Sequence, residues 1–163
     1  MKFTWHDYSP ETMGYVENWL DDSAVTSTGL DEGFRAFYEY WANENSFLIG
    51  ENFWCKVVFS GSVPLAVIAL CQHEGSTIIM EIVVAPEKRG QGIGTKLLKE
   101  LLGCNEKIGF AIHKSEAVIY PDNIASQKAF ENAGYRHFRT HQDENGISLH
   151  YVYERASNSP KNA

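Results

Sequence analysis

Ile82-Val83-Val84-Ala85-Pro86-Glu87-Lys88-Arg89-Gly90-Gln91-Gly92-Ile93-Gly94-Thr95 is the stretch that decides the fold. A β-branched apolar run stops at Pro86, and an arginine with three alternating glycines follows. Lys96-Leu97-Leu98-Lys99-Glu100-Leu101-Leu102 then takes up a helix-period pattern. The order predicts a strand, a loop bare of side chains and a helix start. Glycines at 90, 92 and 94 permit positive φ and let a ligand come close to the backbone. The first N–H groups of a helix have no intrahelical partner, and the helix dipole makes that end positive. The segment therefore predicts an anion site, with phosphate as the expected anion.

Spacing separates the phosphate loops that compete for this segment. A Walker loop has two glycines separated by four residues and then Lys-Ser/Thr; here threonine precedes lysine in Gly94-Thr95-Lys96, and position 89, five before Gly94, is arginine. A dinucleotide fingerprint, G-x-G-x-x-G after a first strand, fails on its final spacing and on the mid-chain position.

Composition points to one soluble domain. A chain of 163 residues with 44% hydrophobic and 21% charged content is ordinary for a globular protein with a real core. There is no 18-residue apolar run, and Met1-Lys2-Phe3-Thr4-Trp5-His6-Asp7 lacks the apolar core of a signal peptide, so a cytoplasmic location off the membrane is expected. Cys55, Cys71 and Cys104 are too few and too scattered for a disulfide framework or a zinc site. His137 and His141 stand four apart in a segment with strand character, where they would not converge on an ion, and no metal is expected.

The coarse pattern alternates strands and helices. Strands are expected at Phe3–Asp7, Phe53–Phe59, Val63–Gln72, Ser76–Ala85, Glu116–Tyr120, Tyr135–Gln142 and Ile147–Glu154. Helices are expected from Pro10 to about Leu20, Asp31–Asn43 (with Phe34, Phe37, Tyr38 and Trp41 on one face), Gly92–Leu102 and Asn123–Ala133. Asp21–Leu30 reads as a polar loop. The sum is a single-domain α/β sandwich, a mixed sheet of about seven strands flanked by about four helices. One domain over residues 1–155 is expected, followed by a frayed polar tail at 156–163.

Arg89-Gly90-Gln91-Gly92-Ile93-Gly94, preceded by Val84-Ala85-Pro86, resembles the acetyl-CoA signature (Arg/Gln-x-x-Gly-x-Gly/Ala) of the GNAT superfamily of N-acetyltransferases. Asn123 to Tyr135, an Asn-started helix closed by Gly134-Tyr135, is similar to the family's second CoA-side motif, at the usual interval. Tyr151-Val152-Tyr153-Glu154-Arg155 is similar to its last strand. The resemblance covers about residues 1–155. It implies transfer of an acetyl group from acetyl-CoA, as co-substrate, to an amine of a small molecule or peptide, both substrates being bound together. The pyrophosphate would lie on the N–H groups of Gly90, Gln91, Gly92, Ile93, Gly94 and Thr95 and on the Arg89 side chain. The pantetheine arm would run beside the backbone of Ile82 and Val84, with the Val84 amide as oxyanion donor. Asn123, Ser126 and Phe130 would complete the CoA side. Dimers are common in the family, so a homodimer is compatible with the resemblance.

Glu81 is the only carboxylate in Ile78-Ile79-Met80-Glu81-Ile82-Val83-Val84. A charge in a central strand is costly unless it is partnered or faces a cleft. Glu81 is a candidate general base with a pKa raised by burial, or else one half of an ion pair or a residue on an exposed strand face. Many family members carry tyrosine where this chain has Phe130, which has no proton to give. A water, Tyr120 or Tyr135 would then protonate the leaving thiolate, or the protein senses acetyl-CoA with little turnover. Tyr120, at a strand end before Pro121, is the better placed of the two tyrosines, since Tyr135 stands where the motif has a core aromatic.

Residues 1–51 carry ten acids against Lys2 and Arg35, a net −8, whereas residues 52–163 carry eleven acids and twelve bases, a net +1. No basic face suits a nucleic acid. In this family the acceptor side is built from the first third of the chain, which suggests a cationic amine; alternatively Asp21, Asp22, Asp31 and Glu32 cap helices and face water.

Overall fold

The β-branched run ahead of the glycine loop becomes the middle strand of a seven-stranded sheet. The computed structural model describes residues 2–20, 33–44, 53–103 and 111–156. Along the chain come β1 (Thr4–Asp7), α1 (Pro10–Val16) with a 3₁₀ turn at Glu17–Trp19, and α2 (Gly33–Glu39) widening into a π-helical turn at Tyr40–Glu44. Next are β2 (Phe53–Ser60), β3 (Val63–His73), β4 (Ser76–Val84), α3 (Ile93–Gly103), β5 (Lys114–Ile119), α4 (Ile124–Asn132), β6 (Arg136–Asp143) and β7 (Gly146–Glu154). The strand order is β1-β2-β3-β4-β5-β7-β6. Only β4 and β5 run parallel; every other pair is antiparallel. The architecture is the expected α/β sandwich, with a mixed sheet and, among the described residues, four α-helices.

Two apolar layers sandwich the sheet. On one side α3 brings Ile93, Leu97, Leu98, Leu101 and Leu102, and α4 brings Phe130, against Ala66, Ile68, Leu70 and Ile79. On the other, Val16, Trp19 and Phe34 of the α1 and α2 region meet Cys55, Val57, Val67, Ala69 and Val83. Residues Leu65 to Cys71 of β3 are buried throughout, which is why that strand reads as an unbroken apolar run rather than an alternating one.

Local chemistry sets the element ends. Pro10 starts α1, and the Ser9 N–H donates to Thr12 Oγ1 at 2.9 Å. The expected helix to Leu20 is α-helical only to Val16, its last turn tightening to 3₁₀. The second helix departs further. Its π-turn breaks the 3.6 period, so Phe34, Phe37 and Tyr38 stay on the core side while the Trp41 ring meets Tyr40 edge-on at 5.2 Å. Strand β5 starts two residues earlier than expected and stops at Ile119, leaving Tyr120 just beyond it. The polar loop at 21–30, the helix start at Asp31–Glu32 and Cys104 lie outside the described residues, as does the expected tail beyond Ala156. Among the described residues no helix is long and apolar enough to cross a membrane.

Leu98 is fully buried between α3 and the sheet. Leu98→Ala should cost about 2–5 kcal/mol in urea unfolding, the range for truncating a buried leucine. Lys99→Ala, one residue along on the exposed face, should stay within about 0.5 kcal/mol.

Candidate active site

Strands β4 and β5 share only three rungs, Thr77 with Ser115, Ile78 with Glu116 and Ile79 with Ala117. Beyond Ile79 they part. β4 stays paired to β3 through Val84, and β5 stays paired to β7 through Ile119. The opening holds a cleft of about 240 Å³. Glu81 and Ile82 line it from β4, Tyr120 from the end of β5, and Asn123, Ser126 and Phe130 from the start and middle of α4. Six of the residues singled out in the sequence thus come together in one place.

The direction of the β4 main chain follows from one bond. The Ala85 N–H donates to Leu65 O at 2.8 Å. Bonded and non-bonded pairs alternate along an antiparallel ladder, so Val83 opposite Val67 and Glu81 opposite Ala69 are the next bonded pairs. Ile82 opposite Ile68 and Val84 opposite Ala66 are non-bonded pairs, and their N–H and C=O groups point away from β3. That side of the strand has no strand neighbour past Ile79 among the described residues. The backbone of Ile82 and Val84 therefore faces the opening.

A β-bulge redirects Glu81. Leu70 pairs with Ile79 but Ala69 pairs with Glu81, which leaves Met80 as the extra residue. Strict alternation from Ile79 would put Glu81 on the α3/α4 side. With the bulge it shares the face of its partner Ala69, in the layer of α1 and α2, and alternation resumes with Ile82 on the α3/α4 side. Burial pushes the Glu81 carboxyl up to about 8, with no charge contributing to the shift. Of the readings open from sequence, a carboxyl raised by burial, half of an ion pair or a residue on an exposed strand face, the burial and its effect on the pKa fit the first. Periodicity could not show the bulge, since its only sequence mark is a carboxylate in an apolar strand.

The glycine loop follows a 3₁₀ turn at Pro86–Lys88. Gly90 and Gly92 have φ of 75° and 76°, left-handed values that disfavour any side chain. A Cβ on either would meet no atom within 4 Å, so the space above them is open. The α3 ladder begins with the Lys96 N–H donating to Gly92 O at 3.1 Å. From Gly90 to Thr95 the backbone N–H groups find no acceptor among the described residues, a concave row of donors at a helix start. Gly94 differs from the expectation. Its φ is not positive, and a Cβ there would make only an ordinary van der Waals contact, 3.7 Å from Ala129 Cβ on α4. The Gln91 side chain folds back to donate to Glu87 O at 3.2 Å, and the Ile93 side chain is buried in the core.

Arg89 departs most from its expected role as an anion-binding side chain. Its Nε donates to Val84 O at 3.1 Å and one terminal nitrogen donates to Trp19 O at 2.8 Å. The guanidinium is turned onto two backbone carbonyls, and its own N–H donates to Pro86 O. Polar backbone partners outside the motif carried no signal in the sequence.

Phe130 is 3% exposed, its ring edge-on to Tyr135 at 4.8 Å. The Tyr135 hydroxyl donates to Ser115 Oγ at 2.7 Å, and Ser115 in turn donates to Thr77 O at 2.9 Å. Burial holds the Tyr135 phenol well above its usual value, so it is a core hydroxyl tying β5 to β4 and no proton source. Tyr120 is 46% exposed at the cleft wall. Asn123 caps α4, its side chain accepting from the Ser126 N–H at 3.2 Å. Among the described residues no three His, Cys, Asp or Glu side chains are grouped to hold a metal ion.

The model of the acetyltransferase (GNAT) family matches residues 13–135, which take in the glycine loop, the parted strands and the capped helix α4. The chain belongs to the GNAT acetyltransferase family. No curated protein sequence matches it. Solved GNAT structures share its fold at low identity. An aminoglycoside acetyltransferase in complex with coenzyme A and kanamycin is 16% identical, with a TM-score of 0.72 over 94% of this chain and 95% of that one. A spermidine N-acetyltransferase from Vibrio cholerae, in complex with CoA and spermine, is 14% identical, with a TM-score of 0.70 over 93% and 95%. An IAA acetyltransferase from Bacillus cereus is 16% identical, with a TM-score of 0.65 over 94% and 100%.

A carboxyl raised to about 8 in this GNAT fold makes stability depend on pH. The folded state prefers the protonated form, so its penalty is absent below the unfolded pKa and grows as pH rises toward the folded one. Glu81→Gln should match the wild type in urea midpoint near about pH 5 and exceed it near about pH 9. Parallel midpoints at both pH values would show that Glu81 is not the buried acid.

Proposed function

We propose that the protein is an N-acetyltransferase carrying an acetyl group from acetyl-CoA directly to a primary amine of a small molecule or peptide, both substrates being bound together. The observation that carries this is the unpaired edge of β4. Ile82, at the cleft, and Val84 turn their amides away from β3 to the side without a strand neighbour among the described residues, and Glu81 is displaced by the bulge onto the face of the α1/α2 layer. Acetyl-CoA, as substrate, supplies an activated thioester; the chain supplies position and proton handling. The free N–H groups of Gly90 to Thr95 fit a pyrophosphate. Pantetheine is an extended chain with amides, matched to the exposed main chain of Ile82 and Val84 as an added strand would be. The Val84 N–H, on that edge, is the donor for oxygen charge developing during transfer. Glu81, with its pKa near neutrality, takes the amine proton directly or through water. Tyr120 is the side-chain candidate for returning a proton to the leaving sulfur.

A cationic acceptor is favoured. The first 51 residues carry a net −8, and two GNAT neighbours are complexes with kanamycin and with spermine. Lys56 offsets one of those charges by pairing with Asp7, while the pair of Glu17 with Arg35 at 2.7 Å is already counted in the net −8. A second reading, an acetyl-CoA sensor with little turnover, is favoured by Phe130 alone, since its ring offers no proton.

Gly92→Val tests the donor site. A β-branched side chain at a φ of 76° is strained and enters the open space over the loop. Calorimetry should show CoA affinity lowered at least about tenfold, roughly 1.4 kcal/mol. Unchanged affinity in a folded variant would sink the assignment. Turnover of wild type against amines of graded charge decides between enzyme and sensor. An enzyme with a cationic acceptor should lose kcat/KM as salt rises and the screening length falls from about 10 Å at 0.1 M to about 3 Å at 1 M. Its kcat/KM should also rise with pH through about 8, a limb that Glu81→Gln removes at a cost of about 10² to 10⁴ in rate.

A further inference from the structure

The arginine of the glycine motif bonds across the molecule rather than toward the loop it introduces. Its Nε reaches Val84 O at 3.1 Å, and a terminal nitrogen reaches Trp19 O at 2.8 Å. These carbonyls belong to the two sides of the site. Val84 is the last residue of β4, the strand edge that lines the donor cleft. Trp19 is the last residue of the 3₁₀ turn that ends α1, on the opposite face, and its side chain is buried in the layer that Glu81 faces.

Each contact has a consequence. In an extended strand the N–H and C=O of a non-bonded residue point to the same side, so fixing the Val84 carbonyl also fixes the direction of the Val84 N–H. The carbonyls at the end of a helical turn have no intrahelical partner and carry the negative end of the dipole, which a guanidinium answers on both counts. The planar group holds both acceptors in one geometry, which an ammonium of lysine cannot reproduce.

We propose that Arg89 is a positioning residue for acetyl transfer. One guanidinium aims the Val84 amide and seats the end of α1 beside β4, holding the donor and acceptor sides in register. The catalytic half of this assignment rests on the acetyltransferase function proposed above; the structural half does not. It differs from a role in gripping the pyrophosphate, because these two bonds run to carbonyl oxygens of the protein itself.

The test compares Arg89→Gln and Arg89→Lys with the wild type. Calorimetry with CoA, backbone hydrogen exchange and steady-state kinetics supply the readouts. Arg89→Gln should leave the CoA dissociation constant nearly unchanged and speed exchange across Glu11–Leu20. It should lower kcat by about 10²-fold, the size seen when one oxyanion donor is lost. Arg89→Lys should recover part of the exchange protection and little of kcat, since one ammonium serves one carbonyl. An Arg89→Gln protein whose CoA affinity falls tenfold or more while exchange at Glu11–Leu20 is unmoved would overturn the proposal and make Arg89 an anion ligand. Unaltered exchange with unaltered kcat would overturn it as well. A wild type that binds no CoA would remove the acetyltransferase function and with it the catalytic half. The exchange comparison in ligand-free protein would still decide the staple.

Discussion

The parting of β4 from β5 is the constraint on which the site depends. Two neighbouring parallel strands that separate after three rungs leave main-chain groups unsatisfied, and buried ones are costly. Here each strand keeps its other neighbour, β3 for β4 and β7 for β5, so the sheet holds together around the gap. Underneath, α3 and α4 close the floor. They pack closely where Gly94 of α3 faces Ala129 of α4, and Phe130 fills the space below the opening. What remains unsatisfied is a short row of amides at Ile82 and Val84, beside a cleft whose lining mixes apolar groups with Glu81, Tyr120, Asn123 and Ser126. A ligand suited to it is extended, carries amides and ends in an anion that can reach the start of α3.

The bulge at Met80 adds a buried carboxyl to this cleft. A single extra residue moves Glu81 from one face of the sheet to the other, so the carboxyl and the free amides of the same strand serve opposite sides. A regular strand would leave the acid in the α3/α4 layer among Leu97, Leu98 and Phe130. There it would break the core and have no access to an acceptor. Burial still costs something where it is, as the carboxyl's rise to about 8 records. Local rules are broken here, a bulge and a buried acid in a central strand, at the one place where function gives a reason for it.

Much of this was legible in the sequence, and the limits have physical causes. Period-2 and period-3.6 patterns with turn residues at their ends placed every described strand and helix to within a few residues. The positive φ of Gly90 and Gly92 followed from an otherwise unexplained run of glycines. Ile82, Asn123, Ser126 and Phe130 were named through resemblance, and they share one cleft with Glu81. Three things stayed hidden. The π-turn that moves Trp41 is a small change of helical pitch without a residue signature. The bulge depends on register with β3, which is long-range information. The partners of Arg89 are backbone carbonyls 5 and 70 residues away, and a carbonyl is present at every position. Side-chain identity predicts what a group can do, while its partner is fixed by the packing of distant segments.

The missing hydroxyl at Phe130 weighs less than it first suggests. An alkyl thiol has a pKa of about 8.5, so a thiolate is a competent leaving group near neutrality and asks little of a general acid. In the proposed transfer the Glu81 carboxyl, raised to about 8, would become after accepting an amine proton an acid of nearly the same strength. Proton transfer between groups so matched has almost no driving force against it and needs only a path, through water or the half-exposed Tyr120 at the cleft wall. Phe130, by contrast, sits 3% exposed against the edge of Tyr135, whose hydroxyl is already given to Ser115. A phenol there would bury a new polar group, at about 1–3 kcal/mol if left unpaired. The apolar ring keeps the floor of the gap packed, and in the proposed reaction the proton balance would rest on Glu81, whose carboxyl burial has raised.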